Sequence, residues 1–383
     1  MSTLNTQISI DQCTRADIPH LQKFIDDYWN TRHILSRDGN LLLWQYDTHR
    51  LPQWNSNGPT ILLASVNRNI VGMLGLIPFN LNVSGEIFPG CWLSQWFVTP
   101  EARNTGAGMR LLWATRNMGF EAIFAIGLNQ TAQNIYHAFG FEMLPEVPRW
   151  VQVLNYKDTR NLITDSTHET MSAQIPRLDS LAKESSYTKH TNIKLSLESN
   201  RFSSDWDEFW FNKIAPITIG PARDSSYLNW RYAEHPSFKY EFAVAREKSS
   251  NNVLGLAVYR IEQVMNREEK ILRVLEFMSS PESEEILTEN ITRYGLDNGI
   301  AFADYFCTSK RFAKPLTRIG FKINSSAHND PPFPIKFQPL DSDTSKLLGA
   351  FWISTDLREH TGKLNHRDNF YITKSDSDQD RPN

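Results

Sequence analysis

Cysteine is scarce in this chain: Cys13, Cys91 and Cys307 are the only three in 383 residues, far apart and odd in number. That excludes a disulfide framework and lacks the paired spacing of a structural zinc site, so no metal is expected. A dominant charge is missing too. Forty Lys and Arg face 43 Asp and Glu, for a net charge of −3, which speaks against a chain built to neutralise a phosphate backbone; no nucleic-acid partner is expected. No apolar run reaches the roughly 18 residues of a membrane helix. The best stretch, Thr60 to Phe79, is broken by Asn67-Arg68-Asn69. The first residues, MSTLNTQISIDQ, lack a basic segment followed by an apolar core, so no signal peptide is expected and a reducing, cytoplasmic setting is. What is present is apolar material: 40% hydrophobic and 12% aromatic residues, enough for sizeable cores, over a length that suggests two domains.

The first 150 residues read as alternating strands and helices. Gln7 to Ile10 predicts a short strand. Thr14-Arg-Ala-Asp17 opens a helix with apolar positions Ile18, Leu21, Ile25 and Tyr28. Thr60–Val66 and Ile70–Ile77 are β-rich runs around a turn, a hairpin signal. Trp92–Val98 predicts a further strand, then come a glycine turn, a helix over Ala107–Gly119, a buried strand Ala122–Ile126, and a helix Thr131–Phe139 ending at Gly140.

The two halves of the chain resemble each other. Leu42-Leu-Trp44-Gln-Tyr46 matches Leu228-Asn-Trp230-Arg-Tyr232, Ile70-Val-Gly72 matches Val253-Leu-Gly255, and Phe139-Gly140-Phe141 matches Ile319-Gly320-Phe321, in the same order. A duplication is expected. The boundaries suggested by composition are a first domain over residues 1–155, a polar linker over 156–200, a second domain over 201–370, and a solvated polar tail over 371–383. The tail's Asp376-Ser-Asp378-Gln-Asp380 begins like a calcium loop but lacks the later glycine and glutamate.

The segment that carries chemistry is Val98-Thr-Pro-Glu-Ala-Arg103-Asn104-Thr105-Gly106-Ala107-Gly108-Met109-Arg110. A strand feeds a turn with two glycines and a helix starts within it. Successive N–H groups at a helix start cradle anionic oxygens, and glycine permits close backbone approach. Arg103, Arg110 and Arg116, with no acid between Ala102 and Phe120, also favour phosphate. The pattern is neither the three-glycine dinucleotide fingerprint nor a P-loop.

With its surroundings, this segment resembles the acetyl-CoA motif of the GCN5-related N-acetyltransferases, Arg/Gln-x-x-Gly-x-Gly/Ala, filled by Arg103, Gly106 and Gly108. The family's next landmark, Asn-x-x-Ala followed by a tyrosine, stands as Asn129-Gln-Thr-Ala132 and Tyr136. The resemblance covers about residues 5–150. It implies an α/β fold with a mixed sheet in tandem acetyltransferase-like lobes, acetyl-CoA as donor, and an amine acceptor. It also implies that the amides from Arg103 to Met109 bind the CoA pyrophosphate, that Phe97 and Val98 pair with the pantetheine arm, that Asn129 lies near that arm, and that Tyr136 protonates the departing thiolate. Read from spacing alone, Tyr136 is also one face of a buried helix with Ala132, Ile135 and Phe139, and His137 points off that face.

The base is open between Glu86, His49, Glu276 and Asp304, with Glu276 favoured because Arg273–Met278 is the counterpart of the Trp92–Val98 strand. The second half lacks the phosphate turn: Pro281-Glu-Ser-Glu-Glu285 follows its strand, and Ser309 and Leu316 stand where the first half has Asn129 and Tyr136. A degenerate lobe that builds the acceptor pocket is the expectation. The segment from Asp224 to Pro236, with Tyr227, Trp230 and Tyr232, resembles one in acetyltransferase-like proteins encoded with bacterial surface-polysaccharide genes. The first expectation for the acceptor is therefore a small-molecule amine such as an amino sugar or nucleotide sugar, although the same aromatics also suit a helix packing its own core. The alternatives are a protein or peptide acceptor, the peptidoglycan bridge-forming transferases that use aminoacyl-tRNA, and a non-catalytic CoA-binding module. An oligomer is compatible with the sequence.

Overall fold

The apolar runs around Asn67-Arg68-Asn69 pair as a hairpin, with Asn67 and Arg68 at φ 50° and 68°, the left-handed twist that a tight hairpin turn requires. The structure is a computed structural model that describes residues 8–46, 58–167, 192–198, 201–324, 330–341, 346–360 and 367–382. The strands in the first half are β1 (Ile8–Gln12), β2 (Ile61–Val66), β3 (Asn69–Val83), β4 (Glu86–Val98), β5 (Ala122–Ile126), β6 (Glu142–Leu144) and β7 (Arg149–Val153). Those in the second are β8 (Ile193–Glu198), β9 (Ile219–Pro221), β10 (Glu241–Glu247), β11 (Val253–Gln263), β12 (Lys270–Ser279), β13 (Phe302–Phe306), β14 (Lys322–Ile323), β15 (Lys336–Phe337), β16 (Leu340–Asp341) and β17 (Gly349–Ile353).

Two mixed sheets result. One runs β1-β2-β3-β4-β5-β17-β6, with β9 added beside β3, and the other runs β14-β7-β13-β12-β11-β10-β8. Read from their outer edges, the two orders are the same, each with one parallel pair, β4 with β5 and β12 with β13. The expected duplication is visible in this match. The expected boundaries are corrected by it, because the halves exchange a strand. β7, from the first half, lies between β13 and β14, and β17, from the second, lies between β5 and β6. A cut near residue 155 or 200 would remove a central strand from the first sheet. The expected linker is also partly ordered. Tyr156–Thr167 is a helix that buries Leu162 and Ile163 in the second lobe, and Ile193–Glu198 is the edge strand β8. Residues 168–191, 199 and 200 lie outside the described residues.

Repeated residues meet between the lobes. Trp44 and Trp230 stack with ring centroids 5.2 Å apart. The Trp44 Nε1–H donates to Trp230 O and the Trp230 Nε1–H donates to Trp44 O, both at 3.0 Å. Such reciprocity is what a two-fold relation between repeats produces. It also corrects the sugar reading of this cluster: Trp230 closes the lobe interface, and Tyr232 is buried with its hydroxyl on Glu276. The aromatics are packing.

The second correction concerns the C-terminal segment, which is not solvated. It runs between the lobes, touching β9 at Phe370 and Cys307 at Thr373, and Thr373, Ser375, Asp376 and Asp380 are at most 1% exposed. Arg223 Nη2 donates to Asp376 Oδ2 at 2.8 Å, and Arg260 Nη2 to Asp380 Oδ1 at 2.7 Å. Arg231 Nε donates to the Ser375 carbonyl at 2.7 Å, and Tyr240 donates its hydroxyl to Asp380 at 2.9 Å. Buried arginines need such partners, since an uncompensated buried charge costs several kcal/mol. Burial opposes ionisation of Asp380, but the adjacent Arg260 outweighs it and holds the carboxyl below the ordinary range. A depressed carboxylate contributes stability above its unfolded pKa, about 3.9, and loses it as pH falls through the folded value. Asp380→Asn is therefore expected to cost about 3–5 kcal/mol in urea unfolding at neutral pH. Its deficit against the wild type should close below about pH 4.

Candidate functional site

The glycine turn is built as a 3-10 segment Pro100–Thr105, a left-handed residue Gly106 at φ 80°, and the helix Ala107–Arg116. The first turn of a helix leaves its N–H groups without intrahelical acceptors. Here these are Ala107, Gly108 and Met109, and Arg110 N–H is the one that bonds back, to Gly106 O at 3.0 Å. The two glycines have different reasons. A Cβ on Gly106 would meet nothing within 4 Å, so the positive φ and the open space above it are what require glycine there. A Cβ on Gly108 would lie 3.2 Å from the Trp96 ring, so that glycine seats the helix on β4. Asn104 and Met109 are exposed, and Thr105 donates its hydroxyl to Ala102 O at 2.6 Å. Of the three arginines, only Arg103 stays at the turn, where its Nε–H reaches Val98 O at 3.4 Å. Arg110 is tied to Ile8 O, and Arg116 is tied to Phe139 O and lies over the Trp352 ring. The expected cluster of three phosphate-attracting arginines is thus reduced to one.

Beside the turn the sheet opens. β4 and β5 pair only over Gly90–Leu93 and Ala122–Ala125. β4 then takes up an extra residue, since Gly75 faces Ser94 and Met73 faces Phe97, and Gln95 stands at φ 49°. A bulge of this kind bends its strand and ends regular pairing. β4 continues through Trp96, Phe97 and Val98 to the glycine turn. β5 leaves through Gly127 and Leu128, whose N–H groups both bond Leu348 O, to Asn129. A wedge is left between the two strands.

Phe97 packs its ring on Phe24 and Trp29. Trp96 packs instead against Tyr136, 5.4 Å between centroids, and its indole N–H is buried with no acceptor among the described residues. Asn129 caps the helix Gln130–Ala138, its Oδ1 accepting from Ala132 N–H at 2.9 Å. Tyr136 is 2% exposed between Trp96 and Phe141, and burial pushes its phenol up. Its ring is core, as the spacing allowed. His137 is exposed, as expected.

The candidate bases do not converge on the wedge. Gly72 faces Val98 and Gly255 faces Ser279, so Glu276 is the counterpart of Gln95 at a second bulge, in β12. It is fully buried there. One oxygen accepts from Arg223, Tyr232 and Ser375, and the other accepts from Tyr371. Burial raises its carboxyl against the pull of Arg223, but no acceptor molecule can reach it. This corrects the reading of Glu276 as base: it is the hub that binds the C-terminal segment. Asp304 is likewise buried, paired with Arg149 at 2.7 Å. Glu86 is exposed at the hairpin end of β4, nine residues or about 30 Å from Gln95. His49 lies outside the described residues. Ser309 stands at the N-terminal boundary of a short helix, Lys310–Ala313, without a side-chain cap bond, and Leu316 is buried after it, the positions expected for degenerate counterparts of Asn129 and Tyr136.

The residue that reaches the wedge comes from the segment expected to be a tail. Gln95 Nε2 donates to Asp378 Oδ2 at 2.7 Å. Asp378 also lines a cavity of about 520 Å³ between the sheets, together with Asn129, Gln379, Arg273 and Lys374. The alternating acids at residues 376–380 were the available signal, and their polarity hid it.

Residues 22–141 match the family model described as the acetyltransferase (GNAT) family. Residues 22–141 are a GNAT acetyltransferase domain. None of the curated proteins matches the chain. Its fold is similar to that of a conserved protein of Enterococcus faecalis described as a probable N-acyltransferase, at 12% identity and TM-score 0.58, covering 91% of this chain and 72% of that one. It is equally similar to a GCN5-related N-acetyltransferase of Anabaena variabilis, at 13% identity and TM-score 0.58, covering 91% and 73%. The Saccharomyces cerevisiae N-myristoyltransferase with bound myristoyl-CoA aligns over 92% of this chain and 83% of its own, at 10% identity and TM-score 0.50. The family match is confined to residues 22–141. It covers the turn, the wedge and Tyr136, while the cavity also draws on the second lobe.

Proposed function

We propose that this protein transfers an acetyl group from acetyl-CoA to the amine of a small molecule held between the lobes. The observation that carries this reading is the wedge between β4 and β5: β4 leads from it to the Gly106 turn, and β5 leads from it to Asn129 on the rim of the 520 Å³ cavity. The residues present suit the donor. The open side of Gly106 and the N–H groups of Ala107–Met109 would hold the diphosphate, with Arg103, Asn104 and Thr105 at the mouth, and the unpaired Trp96 indole N–H marks a buried donor beside the wedge. Acetyl-CoA supplies an acyl group already activated as a thioester.

This chain's own groups then have three tasks. The main chain of β4 at Gln95–Val98 would hold the thioester carbonyl and stabilise negative charge on its oxygen. Tyr136 would deliver the proton to the leaving sulfur, its raised phenol keeping that proton in place until it is needed. Asp378, in place of Glu276, would take the proton of the acceptor amine, since it is the carboxylate that both lines the cavity and touches the bulge. A cavity of this size suits a small ligand better than a peptide, which needs an open groove. An amino sugar remains one such small amine, no longer supported by the Trp230 cluster.

Calorimetric titration with acetyl-CoA tests the donor site. Gly106→Glu should weaken binding at least about 100-fold, by filling the cradle and opposing the phosphates. Gly106→Asn should bind within about tenfold of wild type, because asparagine tolerates the left-handed conformation. A folded Gly106→Glu protein with undiminished affinity would sink the assignment. Tyr136→Phe tests the acid. With the best amine from a screen, kcat should fall about 100-fold at unchanged acetyl-CoA affinity, whereas an unchanged kcat would leave Tyr136 as core alone.

A further inference from the structure

The cavity wall contains a charge that no acid among the described residues balances. Arg273 forms one side and is 2% exposed. Its Nε lies 3.1 Å from Glu262 and 3.7 Å from Asp304, and one terminal nitrogen donates to Ile335 O at 3.3 Å. Asp304 is already held by Arg149, and Glu262 is shared with Arg260, which also holds Asp380. Lys374 lies among them, 8% exposed, on the cavity wall. Its ammonium nitrogen sits 4.9 Å from the Phe306 ring centroid and has no hydrogen bond and no acid within 4 Å among the described residues. This buried group therefore holds four cations, Arg149, Arg260, Arg273 and Lys374, against three acids, Asp304, Glu262 and Asp380. The other cations on the wall are matched: Lys336 by Asp341, Lys346 by Glu146 and Arg381 by Asp378. The surplus positive charge belongs to Lys374.

We propose that Lys374, with Arg273 beside it, is the recognition site for an oxyanion, a carboxylate or phosphate, carried by the amine acceptor. This rests on the reading of the cavity as the acceptor site. The chemistry follows from the surroundings. A buried cation without a counterion is unfavourable, and an oxyanion entering a partly enclosed cavity supplies that counterion at short range. The terminal nitrogens of Arg273 offer the planar donors that a carboxylate or phosphate matches, and Lys374 supplies the point charge. Both are on the second lobe's side, and Asp378, four residues after Lys374, faces the wedge. An acceptor held by its oxyanion at Lys374 would present its amine toward Asp378 and the acyl group.

The groups facing Lys374 set its protonation. Burial together with Arg273 and Arg149 pushes its ammonium well down, and Asp304 and Glu262 only partly offset this. An oxyanion at this position favours the ammonium form, so its binding weakens as pH rises.

The test is calorimetric titration of the full chain with inorganic phosphate and with three matched amine pairs: phosphoethanolamine and ethanolamine, glucosamine 6-phosphate and glucosamine, β-alanine and its amide. Expected are measurable phosphate binding and at least a tenfold preference for the anionic member of one or more pairs. The affinity for the anionic members should fall as pH rises. Lys374→Met should lose the preference at least tenfold without a lowered Tm, since it removes an unbalanced buried charge, and Lys374→Arg should retain much of it. Gly106→Glu should leave phosphate binding at the cavity unchanged, separating it from the donor turn. No oxyanion binding, or a preference undiminished in Lys374→Met, would overturn the proposal. Acetyl-CoA titrated into the same proteins keeps the two readings apart. Donor binding without oxyanion discrimination sinks only this inference, whereas oxyanion binding without donor binding sinks the donor assignment.

Discussion

Arg223, Arg231 and Arg260 are buried in the second lobe, and their counterparts arrive last in the chain: the Asp376 carboxylate, the Asp380 carboxylate and the carbonyls of Ser375 and Asp380. A guanidinium withdrawn from water without such partners is far too costly to tolerate, so the interior of this lobe is complete only when the C-terminal segment is in place. The same segment bonds Gln95 through Asp378 and Glu276 through Ser375. It therefore pins the two bulges, one in each sheet, with a single stretch of backbone. Strand exchange strengthens the dependence, since β17 in the first sheet and β7 in the second tie the order of each lobe to the folding of the other.

The two halves show what happens to one scaffold under two sets of side chains. Both contain a parallel pair, a bulge in the first strand of that pair, and a short helix after it. In the first half the bulge carries Gln95, the strands diverge, and a glycine turn follows. In the second half the bulge carries Glu276, whose oxygens are taken by Arg223, Tyr232, Ser375 and Tyr371, and the strand runs into Pro281-Glu-Ser-Glu-Glu285. A phosphate approaching that end would meet acids and no left-handed glycine. The polar hub at Glu276 is thus a structural counterpart of a functional position, which is why homology between the halves pointed to it and chemistry does not.

Local features were legible in the sequence. The Asn67-Arg68 turn and the Arg103–Gly108 motif depend on residues a few positions apart, so spacing alone exposes them. The strand exchange was not legible, because β17 reads as an ordinary apolar run and nothing local says which sheet it enters. The C-terminal segment was misread for a related reason. Asp376, Asp378 and Asp380 look solvated by composition, and their partners Arg223, Gln95 and Arg260 lie more than a hundred residues away. The available warning was on the other side of the pairing. Arg260 interrupts the apolar run Leu254–Ile261 and Arg273 the run Ile271–Leu275, and such positions demand buried acids from somewhere.

On the proposed reading, the two ends of the site use different physics. The donor end would be main chain: N–H dipoles at a helix start, fixed by Gly106 and needing little from side chains. The acceptor end would be side-chain charge, Asp378 and Lys374 held by residues from both lobes. Backbone dipoles suffice for a diphosphate, which carries its charge to any cradle of the right shape. Choosing one small amine among many requires charges at fixed positions in an enclosed space, and such charges are stable only where a network already supports them. The C-terminal segment brings both of them within five residues, Lys374 to Asp378. The turn can thus persist as a local property of the first lobe, whereas the proposed acceptor site would exist only as a property of the assembled pair.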